Sequence, residues 1–450
     1  MNQLVRQPAV SVGLLTGAGT VTFHLQGEYL TPEGDRFAAG EYRAALDGDV
    51  IALGERRLEK LDLRPARPDC SFIIRDILIG IDFHWERREN QEFHGALRIE
   101  PFAGGGLAVI NELAVEEYLL SVISSEMSAA SHPELLKAHA IISRSWLLAQ
   151  MPAWKRPRNK PAFDLRQTAQ GKELIRWYDQ ESHAGFDVCA DDHCQRYQGI
   201  TKAASGTVPS IIRETFGLIL AHQGELCDAR FSKSCGGITE RFAAAWEDVD
   251  LPYLQSVYDG EHFPAGFALP LTDEANAAAW IRQAPPAWCN THDQRVLSRI
   301  LPDFDQETTD FYRWQATLSQ EELQELLLRK LGLDLGPILR LEPVARAASG
   351  RIVRLRIVGE RDALLLGKEL EIRRALSPSH LYSSAFLVEF GETRAGIPAA
   401  FTLRGAGWGH GVGLCQIGAA LMAEGGNDFR RILRHYYRGA EILPLYSTGT

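Results

Sequence analysis

NELAVEEYLLSVISSEMSAASHPELLKAHAIISRSW, residues 111–146, is the stretch whose reading decides the fold. At Asn111 the pattern changes: Val115, Leu119, Val122 and Ile123 recur at the spacing that lines one face of a helix. A second helix is expected after Ser131-His132-Pro133-Glu134, with Ser131 as N-cap, Pro133 in the first turn and Glu134 completing a capping box. Leu135, Ala138, Ile142 and Leu147 supply its apolar face. The connector from Ser124 to Ala130 is pinned at both ends by these helices and carries Glu126. Its neighbours Ser125, Met127, Ser128 and Ala129 offer no adjacent Lys or Arg. Partial desolvation without a cationic partner raises a carboxyl pKa, as a general acid working near neutrality requires. The plain alternative is that Glu126 caps the second helix or faces solvent.

Outward from this stretch, residues 1–100 show short strand-like runs: Val10–Leu15, Val21–Leu25, Phe72–Ile81, Ile81–Trp85 and Phe93–Ile99. They predict a small, mostly antiparallel β domain. Pro152–Pro161 (PAWKRPRNKP) reads as an exposed basic loop. Residues 186–240 return to strand character, and 270–333 are helix-rich, with a capping box Ser319…Glu322. Arg351–Val358 alternates, with Val353, Leu355 and Ile357 on one face and Arg354 and Arg356 on the other. Two helices close the chain, one ending at Gly425 and one running from Asp428 to Tyr437. The fold class is therefore α+β: an N-terminal β domain (1–100), a core beginning at 101–267, an accessory α+β region (268–395) and a second core part (396–450).

With 450 residues, 45% hydrophobic and 24% charged, the chain has an ordinary globular composition, long enough for roughly three domains. Lys plus Arg is 48 and Asp plus Glu is 58, a net charge of -10 that argues against nucleic acid or anionic membrane as the main partner. No apolar run approaches the roughly 20 residues of a transmembrane segment. The N-terminus has no small-residue cleavage site of the secretory kind, so a cytoplasmic location is expected if Met1 is the natural start. Seven scattered cysteines are an odd number and do not suggest a disulfide framework, so reduced thiols are expected.

Three further segments could carry chemistry. Arg404–Gly413 (RGAGWGHGVG) places five glycines at alternate positions, a close-approach loop or bent strand that presents Trp408 and His410. An indole beside an imidazole suits the apolar face of a sugar; a structural turn with Trp408 buried is the alternative. The segment lacks the spacing of phosphate or dinucleotide loops. Ser232–Glu240 (SKSCGGITE) is a turn rich in hydroxyls, whose backbone N–H groups could wall a groove; Cys235 with His410 as nucleophile and base is a weaker reading. Finally, His183, Cys189, His193 and Cys194 lie within twelve positions. Two thiolates and one or two imidazoles suit tetrahedral Zn²⁺, with buried free thiols as the alternative.

These segments, in this order, resemble the stage II sporulation protein D (SpoIID/LytB-domain) family of peptidoglycan enzymes. The matching stretches are VEEYLLSVISSEM…ELLKAHAIISRSW, DVCADDHCQRYQGI, TFGLILAHQGELCDARFSKSCGGITE and RGAGWGHGVGLCQIGAALMAEGGNDFRRILRHYYRGAEI, with a weaker SGRIVRLRIVG…LEIRRALS…LYSSAFLVEF. They span about three-quarters of the chain. The resemblance implies a lytic transglycosylase that cuts the β-1,4 bond between N-acetylmuramic acid and N-acetylglucosamine in peptide-free glycan strands, leaving 1,6-anhydro ends. It places the catalytic Glu on Glu126, and Ser125, Arg144, Ser234, Gly236, Gly237, Glu240, Trp408, His410 and Gln416 along the groove. It implies structural zinc on His183, Cys189 and Cys194, with His193 the competing ligand, and no cofactor for catalysis itself. The partners would be glycan strands or muropeptide fragments, in the cell envelope. Because some relatives enhance murein amidases, a non-catalytic glycan-binding module is the alternative. Three positions depart from the pattern: Ser128 stands where Pro is frequent, His139 where Gln is frequent, and Cys235 where Ser is frequent.

Overall fold

Alternating apolar residues build the N-terminal strands. In Thr20–Gln26, Val21, Phe23 and Leu25 point inward while Thr20 and Gln26 are exposed. The computed structural model describes residues 4–80, 86–156, 165–177, 183, 185–191, 193–201, 206–301 and 308–447. The predicted strand Ile81–Trp85 and the latter half of the basic loop lie outside these residues.

Two sheets share one core. A seven-stranded sheet runs in the order Val188–Cys189, Ala9–Ala18, Leu107–Ala114, Ala96–Pro101, Leu61–Pro65, Tyr29–Leu30, Arg36–Phe37. A six-stranded sheet runs Arg87–His94, Ser71–Ile79, Thr20–Gln26, Gly40–Asp47, Val50–Leu53, Arg56–Leu58. Val12, Phe23, Phe72 and Ile99 from these sheets join Tyr118, Leu119 and Val122 in a single cluster. The expected run Phe93–Ile99 is two strands, because Gly95 turns the backbone at φ +87. The β region also extends past residue 100: Ala9–Ala18 pairs antiparallel with Leu107–Ala114, which runs directly into the first helix.

That helix, α1 (Val115–Glu126), is followed by α2 (Pro133–Gln150). Glu126 is thus the last helical residue rather than a connector residue, and Met127 leaves in an extended conformation. Pro133 does open α2, but the cap is His132, whose Nδ1 accepts the Glu134 N–H at 3.2 Å. Ser131 instead donates to the Arg299 carbonyl at 3.0 Å, a long-range contact that outcompetes the expected local cap. From Leu135 to Gln150 every residue of α2 except Lys137 is buried, as befits a helix packed on all sides.

The accessory region is woven into the core. Ala400–Ala406, which leads into the glycine-rich segment, is the central strand between Arg313–Ser319 and Phe386–Phe390. Gly171–Ile175 pairs parallel with Ala363–Gly367. The capping box Ser319/Glu322 forms as expected on the helix Gln320–Leu331. The closing helices are Gln416–Glu424 and Phe429–Tyr436, the latter capped by Asp428. No helix among the described residues is long and apolar enough to cross a membrane.

Candidate active site

Glu126 is half-buried at the C-terminal end of α1, where Met127 anchors the chain in a second core cluster. Its Oε1 accepts the backbone N–H of Arg196 at 2.7 Å. The carboxylate thus meets a backbone donor from the 186–198 segment, while the α2 N-terminus is capped by His132. Ser128 N–H continues the chain onto the Ile300 carbonyl at 2.9 Å.

The glycine-rich segment meets the 232–240 turn backbone to backbone. Ser234 and Trp408 exchange N–H···O bonds of 3.1 and 2.8 Å, and Phe231–Ser232 pairs parallel with Leu414–Cys415. Gly407 requires φ +77, and a Cβ there would fall 2.8 Å from the Ser234 carbonyl, so only glycine permits this approach. Trp408 is half-buried between Tyr382 and Phe311, with ring centroids 4.2 and 4.9 Å away, and borders the cluster that holds Met127. Lys233 Nζ lies 5.6 Å from its ring. His410 Nδ1 accepts the Val412 N–H at 3.0 Å, and its ring meets the edge of Trp246. Burial, with the positive charges of Arg230, Arg373 and Arg351, pushes this imidazole well below its ordinary pKa, so it stays neutral.

Around this crossing several buried polar atoms lack a hydrogen-bond partner among the described residues: Ser232 Oγ, Ser234 Oγ and Gln416 Nε2. Ser125 Oγ, beside Glu126, is in the same condition. Buried donors and acceptors are costly when unmet, so such a concentration marks a place where water or a polyhydroxy ligand completes the set.

Four expected groove residues have other surroundings. Arg144 is 0% exposed and bidentate on Glu116, at 2.9 and 2.6 Å, with a third bond to the Leu218 carbonyl. It is an interior ion pair whose donors are already engaged. Glu240, also 0% exposed, accepts from Ser349 N–H and Oγ at 3.0 and 2.6 Å. Gly236 and Gly237 are buried close-approach positions: a Cβ on Gly237 would lie 2.8 Å from Trp280 and 2.9 Å from the Tyr312 hydroxyl. Their role here is packing.

His183, Cys189, His193 and Cys194 come together, with all donor atoms within 4.8 Å of one another. Both imidazoles approach Cys194 Sγ at 3.7 Å, so the two competing histidines are brought to the same place. Hydrogen bonding from Cys194, His183 and His193 pulls the Cys189 thiol well below its ordinary pKa, toward the thiolate a metal selects. The donor set fits tetrahedral Zn²⁺. The Cys235–His410 nucleophile pair gains no support: Cys235 is 2% exposed, burial pushes its thiol up, and its neighbours are Cys289 and Cys415. Sequence reading missed those thiol partners, Asp259 beside them, and the Arg196 anchor. All are long-range contacts with no local signature.

Two stretches of the chain match known family models. Residues 103–222 match the Stage II sporulation protein (SpoIID) family model, and residues 240–413 match a domain of unknown function, DUF8618. A Bacillus amyloliquefaciens protein named Stage II sporulation protein D is 26% identical over 335 residues, 74% of this chain and 75% of the relative. Its namesake from Bacillus subtilis (strain 168) is 23% identical over 338 residues, again 74% of this chain and 75% of the relative. A Bacillus subtilis protein named Amidase enhancer is 23% identical over 239 residues, 51% of this chain and 32% of the relative. Residues 103–222 thus form a SpoIID-family region, in a chain that is similar over 74% of its length to proteins named Stage II sporulation protein D.

Proposed function

We propose that the chain is a lytic transglycosylase of peptidoglycan glycan strands, with Glu126 as its single general acid and base. The observation that carries this reading is the half-buried Glu126 carboxylate, oriented at 2.7 Å by the Arg196 N–H beside the unpartnered hydroxyl of Ser125. As the acid, Glu126 protonates the glycosidic oxygen between N-acetylmuramic acid and N-acetylglucosamine. As the carboxylate, it then takes the proton from the muramyl 6-hydroxyl, which attacks the anomeric carbon and closes the 1,6-anhydro ring. The nucleophile belongs to the substrate, so proximity supplies much of the acceleration and no second carboxylate is needed. Trp408 stacks on a sugar face, and Ser232, Ser234 and Gln416 take up its hydroxyl and acetamido groups. His410, held neutral with its Nδ1 accepting the Val412 N–H, shapes the wall of the groove.

Zn²⁺ on His183, Cys189, His193 and Cys194 is assigned a structural part: it would brace the segment that presents the Arg196 N–H to Glu126. The site of action is the cell envelope, where glycan strands are found.

The name of the amidase-enhancer relative favours one second reading, in which the same groove binds glycan and assists a murein amidase without cutting. Digestion of peptide-free strands in ¹⁸O-water, with and without an amidase, separates the two. The transglycosylase yields anhydro ends free of label without any amidase. Absence of products from the chain alone, with faster release by the amidase in its presence, establishes the second reading. Labelled reducing ends would reveal a hydrolase.

A further inference from the structure

A second donor cluster lies inside the core, apart from the groove and from the 183–194 loop. The parallel pairing of Phe231–Ser232 with Leu414–Cys415 sets Cys415 beside the turn at Cys235, whose N–H donates to Cys415 Sγ at 3.2 Å. Cys289 brings its Sγ to 3.7 Å from Cys235 Sγ. Asp259 accepts the Cys289 N–H on Oδ2 at 3.0 Å. One donor atom from each of the four residues lies within 4.8 Å of the others, and all four residues are buried.

Three observations make this more than a chance meeting of thiols. A tetrahedral zinc with Zn–S bonds of about 2.3 Å places its sulfurs about 3.8 Å apart, close to the spacing seen. The carboxylate is also held from behind. Tyr436 donates to Asp259 Oδ1 at 2.5 Å, and a Cβ on Gly418 would fall 2.5 Å from both carboxylate oxygens, so glycine keeps room for this supporting pair. Finally, Asp259 is 0% exposed and forms no ion pair among the described residues, so its carboxyl group has no positive partner of the kind a bound cation would supply. The nearby Arg313 guanidinium, engaged with the carbonyls of Ile281, Gly236, Tyr312 and Trp280, supplies positive potential suited to an anionic thiolate centre.

We propose that Cys235, Asp259, Cys289 and Cys415 bind one zinc ion as a structural centre clamping the 232–240 turn, the 255–290 segment and the start of the last helix pair. Three soft thiolates and one carboxylate favour zinc over hard cations. Binding releases the thiol protons to solvent. The centre is independent of the glycan-cleaving reading and of the loop site.

Elemental analysis of the full chain, expressed with zinc, tests it on a Cys189→Ser/Cys194→Ser background that removes the loop thiols. About one zinc per chain is expected there, lost on adding Cys289→Ser. A zinc-free Cys189→Ser/Cys194→Ser protein overturns the proposal. Should the variants fail to fold, native alkylation of the unaltered chain, read peptide by peptide, decides the matter. Cys235, Cys289 and Cys415 are expected to be protected until chelation removes the metal, then labelled at least tenfold more. Labelling of these thiols that does not change on metal removal, a chain purified without metal, or a Cys235–Cys289 disulfide in the intact mass overturns it.

Discussion

The two thiol clusters are assembled from opposite kinds of sequence. The first draws His183, Cys189, His193 and Cys194 from twelve neighbouring positions, on a partly exposed loop at the edge of the seven-stranded sheet. The second draws Cys235, Asp259, Cys289 and Cys415 from segments as far as 180 residues apart, and all four are buried. Loop donors can be disturbed while the surrounding sheet stays intact. Core donors hold together elements that nothing local connects. On the proposed readings the difference sets the part of each: the loop would position Glu126, and the core cluster would clamp the fold that carries Trp408 and His410.

The largest expected effect falls on the core. Asp259→Ala strands the Tyr436 hydroxyl and the Cys289 N–H and opens a cavity, a loss of about 3–5 kcal/mol in urea unfolding. A loss below about 1 kcal/mol would mean that the core cluster is no more integral than the loop.

Acid sharpens the contrast next. Burial pushes His139, whose ring packs on Phe231 in the strand beside Cys415, down to about 3. The folded chain then keeps this ring neutral while the unfolded chain takes up a proton below about pH 6.5. Its contribution is therefore complete above pH 6.5 and is lost as pH falls toward 3, by up to about 1.4 kcal/mol per pH unit. Urea midpoints between pH 7.5 and 4.5 should show this slope, flattened in His139→Gln; an unchanged slope in the variant would remove His139 as its source.

The smallest stability effect belongs to the loop. Cys194→Ser should change global stability by less than about 1 kcal/mol. It should nevertheless quicken hydrogen exchange at the Arg196 amide and slow glycan cleavage by roughly ten- to a hundredfold, as the Glu126 anchor loosens. Unfolding of the whole chain by this substitution would erase the distinction between the two clusters.

Legibility in the sequence followed the same division. α1, α2, the Ser319/Glu322 capping box and the two closing helices were readable because periodicity and caps are written in neighbouring residues. The His132 cap was not, since Ser131 is claimed by Arg299 from 168 positions away. The glycines at 407–413 announced a close approach, but not that Ser234 is what they approach. The family resemblance puts Arg144 and Glu240 along the groove, but their burial is not visible in a sequence. The partners that satisfy them, Glu116 and Ser349, are contributed by distant segments.

The most direct test of the central claim is the formation of anhydro-terminated products from peptide-free glycan strands by the unaltered chain and by Glu126→Gln, with melting temperatures measured alongside. The account predicts a loss of at least a thousandfold in Glu126→Gln, with the melting temperature within about 2 °C of the unaltered chain. Turnover retained in Glu126→Gln would contradict it.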